Sequence, residues 1–140
     1  MLSGYVERLR TDPDTPSARA LADADLEDHA ATFLADMAQC LTVIEAAHGA
    51  PSESMRDASA IQRVIAERHG AQRARLGWSD AEVRREFAIL REELAAAVRR
   101  RVGREPDVAI DQALALFAGF IEHAERTSLH THYAPPAPER

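Results

Sequence analysis

Four stretches of about two dozen residues carry apolar side chains at steps of three and four, and this periodicity constrains the fold more than any other feature. Residues 25–47 place Leu26, Ala30, Phe33, Met37, Leu41 and Ile44 on one helical stripe, widened by Leu34 and Cys40. Residues 53–76 place Ala58, Ile61 and Ile65 on another, which turns polar at His69 and at Gln72 or Arg73 before Leu76. After Ser79 the stripe is Val83, Phe87, Leu90, Leu94, Val98 and Val102. Residues 106–130 carry two adjoining stripes. One is Ile110, Leu114, Phe117, Ile121 and Ala124; the other is Ala109, Ala113, Leu116, Phe120 and His123. No segment alternates as a strand would, and no internal repeat is present. The expected fold is all-α. Helices about 36 Å long joined by short turns predict an up-down-up-down four-helix bundle, with globin-like packing as the alternative.

Punctuation residues support these boundaries. Asp23 or Asp25 caps the first long helix, and Gly49 with Pro51 ends it. Gly77 suits the left-handed position that closes the second. Ser79 and Glu82 form an S-x-x-E capping box at the start of the third, and Arg99, Arg100 and Arg101 favour the negative end of its dipole before Gly103. Ahead of them, residues 3–10 suit a short helix, and Thr15-Pro16 is a helix start with the hydroxyl at the N-cap. The expected organisation is an N-terminal arm (1–22) covering one end of the bundle, a helical body (23–132) and a proline-rich linker or tail (133–140).

The chain has 140 residues, enough for one core. Its net charge of −6 disfavours nucleic acid as a partner for the whole surface, and the arginines at 99–101 and 104 read as a solvated helix end. All 17 basic residues are arginine. A single cysteine, Cys40, rules out a disulfide framework and suits a reducing compartment. The opening MLSGYVERLR has no secretory pattern, and no apolar run approaches a membrane span, so the expected location is cytoplasmic.

Motifs for chemistry are sparse. Glu45-x-x-His48 is one half of a two-part di-iron pattern, and His130-x-His132 reads as a solvated pair. The sequence has no nucleophile elbow, no phosphate-binding loop and no dinucleotide turn. The expectation is therefore no catalytic residue, no metal and no cofactor in this segment. His69 and Arg73 share a helical face, and pairing about Gly77 brings Glu86 level with them, with Arg91 beside the same stripe. This group is either a buried register lock or a ligand-responsive network.

The run His69-x3-Arg73-x3-Gly77-x8-Glu86-Phe87-x2-Leu90-Arg91 resembles the N-terminal domain of RsbRD-type stressosome co-antagonists and of soluble bacterial sensor histidine kinases. The similarity covers the second and third long helices and extends loosely to the first and fourth. It implies a helical signal-input module that dimerises and passes a change in packing to a downstream kinase or other output domain. His69, Arg73, Glu86 and Arg91 would then form a ligand or register network. Leu116, Phe120 and His123 would lie on the helix that dimerises and transmits. His69 is followed by Gly-Ala-Gln-Arg, unlike a phosphoacceptor box, so the segment itself is expected not to be a kinase. The alternatives are a ligand- or metal-binding bundle and a purely structural interaction module.

Overall fold

The computed structural model describes residues 1–46, 53–102 and 108–133, without the side chains of residues 28, 40–46, 53–59, 102 and 109. Expectations that fall on Cys40, Leu41, Ile44, Glu45, His48, Gly49, Pro51, Ala58, Val102, Gly103, Arg104, Ala109 or the proline-rich tail lie outside them. The described residues form α1 (Leu2–Thr11), a 3₁₀ turn (Pro16–Ala20), α2 (Asp23–Ala46), α3 (Glu53–Arg75), α4 (Asp80–Val102) and α5 (Val108–Tyr133), with no strand among them. The all-α expectation holds.

The helices pack in an order that sequence adjacency does not predict. α3 packs on α5 and α2, α4 packs on α5 and α1, and α1 packs on α2. The main companions of α3 are thus α5 and α2 rather than α4, the helix that follows it, and α1 joins α2 to α4. Tyr5, Val6 and Leu9 of α1 are buried with Leu26, Phe33 and Met37 of α2, Val83, Phe87, Ile89 and Leu90 of α4, and Ile121, Ala124 and Leu129 of α5 in one core.

The buried face of α3 matches the predicted stripe at His69 and Arg73 and departs from it elsewhere. Ile61 and Leu76 are exposed at 52% and 43%, while Gln62, Ala66, His69, Gly70 and Arg73 are buried. Gly70 supplies the reason. A Cβ there would stand 2.1 Å from the Ser128 carbonyl oxygen and under 3 Å from two more Ser128 backbone atoms. α5 therefore lies directly on the Gly70 surface of α3, and the Ser128 hydroxyl, fully buried, donates to the Ala66 carbonyl at 2.8 Å. Close backbone approach selects the small-residue face and turns Ile61 outward.

The corner between α3 and α4 is closed by local bonds. Gly77 has φ +80°, its N–H donates to Ala74 O (3.1 Å), and the Trp78 N–H reaches back to Arg73 O (2.9 Å). This is the Schellman pattern, satisfying two carbonyls at the end of α3. The apolar contact that usually accompanies it is here a cation–π contact, with the Arg73 guanidinium carbon 4.4 Å from the Trp78 ring centre. The capping box then forms as expected. Ser79 N donates to Glu82 Oε2 (2.8 Å), and Glu82 N donates to Ser79 Oγ (3.2 Å). Glu82 also accepts the backbone N–H and the hydroxyl of Ser17, fastening the 3₁₀ turn to α4.

Two local expectations are corrected. Thr15 precedes the 3₁₀ turn, but its buried hydroxyl donates to Leu9 O at 2.7 Å instead of capping. α5 runs on to Tyr133, and His132 Nε2 lies 2.6 Å from the Trp78 carbonyl, so this histidine stitches α5 to the corner instead of being half of a solvated pair.

Candidate functional site

At the centre of the molecule is a carboxylate held by three helices. Glu86 projects from α4 and is 1% exposed. Its Oε1 accepts the Tyr5 hydroxyl from α1 at 2.9 Å and Arg73 Nη2 from α3 at 2.7 Å. Its Oε2 meets His69 Nε2 at 2.9 Å, and Arg73 Nε is 3.2 Å from both oxygens. Helical spacing explains the convergence: His69 and Arg73 are i and i+4 on α3, and the tight corner at Gly77 sets Glu86 at their level. Arg73 is fully buried, and its third nitrogen is engaged as well. Nη1 reaches the Asp25 carbonyl (3.3 Å) and Gln72 Oε1 (3.2 Å) while the guanidinium lies over Trp78.

The electrostatics follow from burial and charge. Burial alone would push the Glu86 carboxyl up, but the pull of His69 and Arg73 and the hydrogen bonds from both outweigh it and hold the carboxyl far below the usual range. Burial opposes the Arg73 charge, and Glu86 more than restores it. Burial, reinforced by the Glu86 charge, pushes the Tyr5 hydroxyl well above its ordinary value. The site thus holds a carboxylate, a guanidinium and a neutral phenol, all desolvated and all hydrogen-bonded.

Beside this network is a small cleft lined by Tyr5, His69 and Glu86 on one side and by Phe33, Ile65 and Phe87 among others. It has room for a water-sized sphere over about 20 Å³, within about 330 Å³ of empty space counted out to solvent. The His69 ring stacks edge-on against Phe87 (5.5 Å between centres) and against His29 of α2 (5.3 Å). His69 Nδ1 is buried and has no hydrogen-bond partner among the described residues.

The structure brings together His69, Arg73 and Glu86, as the spacing suggests. It does not bring Arg91 to them; Arg91 Nη1 pairs with Glu125 of α5 at 3.0 Å. On α5, Leu116 is 42% exposed, His123 is exposed, and Phe120 is half-buried against the core. Sequence reasoning missed Tyr5, the third arm of the network. Its only signal is local, an aromatic residue on the apolar face of a short helix with Val6 and Leu9, and nothing local points to Glu86, 81 positions away. Trp78, whose ring covers Arg73, was also missed, although its signal is local: it follows Gly77 at the position that folds back over the last turn of α3. Among the described residues, no group of three or more His, Cys, Asp or Glu side chains is placed to hold a metal, and no helix is long and apolar enough to cross a membrane.

Comparison of the chain with known protein families, with curated proteins and with solved structures gives no match.

Proposed function

We propose that this chain is the signal-input and dimerisation domain of a cytoplasmic bacterial signalling protein, one that catalyses nothing itself and passes a change in helix packing to an output domain such as a histidine kinase. The observation that carries this reading is the Tyr5–Glu86–Arg73–His69 network. An apolar core would give equal or greater stability than a buried ion pair, so burying Arg73 and Glu86 selects one arrangement of helices over others. A network of this kind, shared by α1, α3 and α4 and bordering a cleft, is an element with discrete packings whose balance a bound molecule can shift. The four long helices serve as a bundle-like frame in the order α2, α3, α5, α4, and α1 closes the side between α4 and α2. The second stripe of α5, with Leu116 and Phe120 and with His123 at its edge, is the surface offered to a second copy.

The test is a chimera of residues 1–133 joined to a histidine-kinase core that lacks its own input domain. The chimera should be dimeric by light scattering, and Glu86→Gln should change its autophosphorylation rate by at least several-fold while circular dichroism still reports a helical fold. A strict monomer at high concentration, or a rate indifferent to Glu86→Gln and to Tyr5→Phe, would remove this reading.

A further inference from the structure

We propose that the cleft beside His69 binds a small neutral molecule with a planar apolar body and one O–H or N–H donor, the class of simple phenols, with the donor resting on His69 Nδ1. The proposal rests on the reading of this cleft as the input site and names its ligand class.

Three properties of the cleft select that class. The first is hydrogen bonding. Glu86 is a carboxylate, so His69 Nε2 carries the proton that Glu86 Oε2 accepts at 2.9 Å. In the neutral ring Nδ1 is then an acceptor. It is buried in a residue only 6% exposed, and no protein donor among the described residues reaches it. A buried acceptor without a donor is costly, and a ligand that supplies one is favoured by that amount.

The second property is charge. With the His69 ring neutral, Glu86 and Arg73 balance each other at 2.7 Å, and Tyr5 and His69 already donate to Glu86. A charged ligand would enter a desolvated space with no counter-ion left for it, so a neutral one is preferred. The third is the shape of the wall. Phe33, Phe87, Ile65 and Leu90 give an apolar lining, and Ala30, Ala66 and Ala124 leave the room. As it stands the cleft takes a water-sized group, so an aromatic ring must enter from the open side and displace the lining. α2 supplies Ala30, Phe33 and His29 to that lining, and its outward movement is the change in packing that the ligand would produce.

The experiment is a two-dimensional amide NMR titration of the full chain with phenol, compared with benzene, benzoate and benzylammonium. Phenol should bind saturably at one site with a Kd on the order of 1 mM, the scale for a ligand of that size. Its shifts should centre on the cleft. Benzene, which lacks the donor, should bind about three- to tenfold more weakly, the value of one hydrogen bond. Benzoate and benzylammonium should not bind there. Ala30→Leu fills the cleft without touching the network and should abolish phenol binding; Ala124→Leu does the same from α5 if the first variant folds poorly. Four results would overturn the proposal: no saturable phenol binding, which would leave Nδ1 to water alone; equal affinity for benzene; tighter binding of benzoate; or undiminished binding in both filled variants. The two readings fail separately. Phenol binding with an unresponsive chimera keeps the site and ends the signalling role, whereas a responsive chimera that ignores phenol ends the ligand class.

Discussion

Glu86→Gln should be the most damaging single-atom change in this chain. The carboxylate serves four donor groups: the Tyr5 hydroxyl, His69 Nε2, and Nε and Nη2 of Arg73. Glutamine keeps one acceptor oxygen and turns the other into an NH₂ that faces donors in either orientation. At the Oε1 place it would oppose Tyr5 and Arg73 Nη2. At the Oε2 place it would oppose His69, which can answer by moving its proton to Nδ1, so that orientation is the cheaper one. It still leaves Arg73, fully buried, without a counter-charge. Removing one partner of a buried pair costs about 3–5 kcal/mol. Domains of this size have roughly 5–15 kcal/mol in all, so the variant folds with much of its margin gone, and Tm falls by roughly 10–15 °C. Urea denaturation followed at 222 nm, with the single Trp78 as a second probe beside the network, measures the loss. Glu93→Gln is the control: Glu93 lies on the same helix and pairs with a half-exposed Arg8, so less than about 1 kcal/mol should be lost. A Glu86→Gln chain within about 1 kcal/mol of wild type would refute the reasoning, because Arg73 would then have to be solvated or paired elsewhere.

Gly70→Ala should destabilise by at least about 1–3 kcal/mol even though alanine is the better helix former, because its Cβ meets Ser128 backbone that cannot swing aside; thermal melts decide this, and a stabilised variant would mean that α5 does not lie on that surface. Gly119→Ala meets nothing within 4 Å, so it should raise the stability of a single chain by about 0.5–1 kcal/mol while weakening the dimer if the second stripe of α5 is the interface; melts at several protein concentrations separate the two effects. Stability should also depend on pH at both ends. The Glu86 carboxyl is depressed in the fold, so its contribution is present above the ordinary value of 4.5 and fades as pH falls below it. The Tyr5 hydroxyl is raised, so its contribution is complete below 10.0 and is lost as pH rises beyond it. Tyrosinate absorbance should therefore show Tyr5 ionising together with unfolding, and a Tyr5 that titrates reversibly in a still-helical chain would contradict its burial.

How much of this was legible beforehand depends on the range of each interaction. The capping box at Ser79 and Glu82, the left-handed Gly77 and the i, i+4 pair His69–Arg73 are local, and each formed as its spacing indicated. Glu86 was legible because a tight corner fixes what lies level with what on either side of it. The inward face of α3 was legible only in part: the expected stripe held His69 and Arg73, which are buried, but also Ile61 and Leu76, which are not. Periodicity ranks residues by hydrophobicity, and it chose Ile61 and Leu76; the packing was decided by Gly70, which has no side chain for such a pattern to count. Arg91 was placed in the network by its neighbours in sequence, but it sits on the side of α4 that faces α5, where Glu125 meets it. Tyr5 could not be read at all, since α1 docks on α4 only once the whole chain has folded.

The claim on which the rest depends is that Glu86 couples α1 to α3 as one unit. A double-mutant cycle of Tyr5→Phe and His69→Phe measures this, since each change removes one donor to the same carboxylate from a different helix. If the network is a unit, the two losses in unfolding free energy will depart from additivity by about 0.5–3 kcal/mol. Losses that add to within about 0.3 kcal/mol would mean that Tyr5 and His69 act independently, and the central joint described here would not exist.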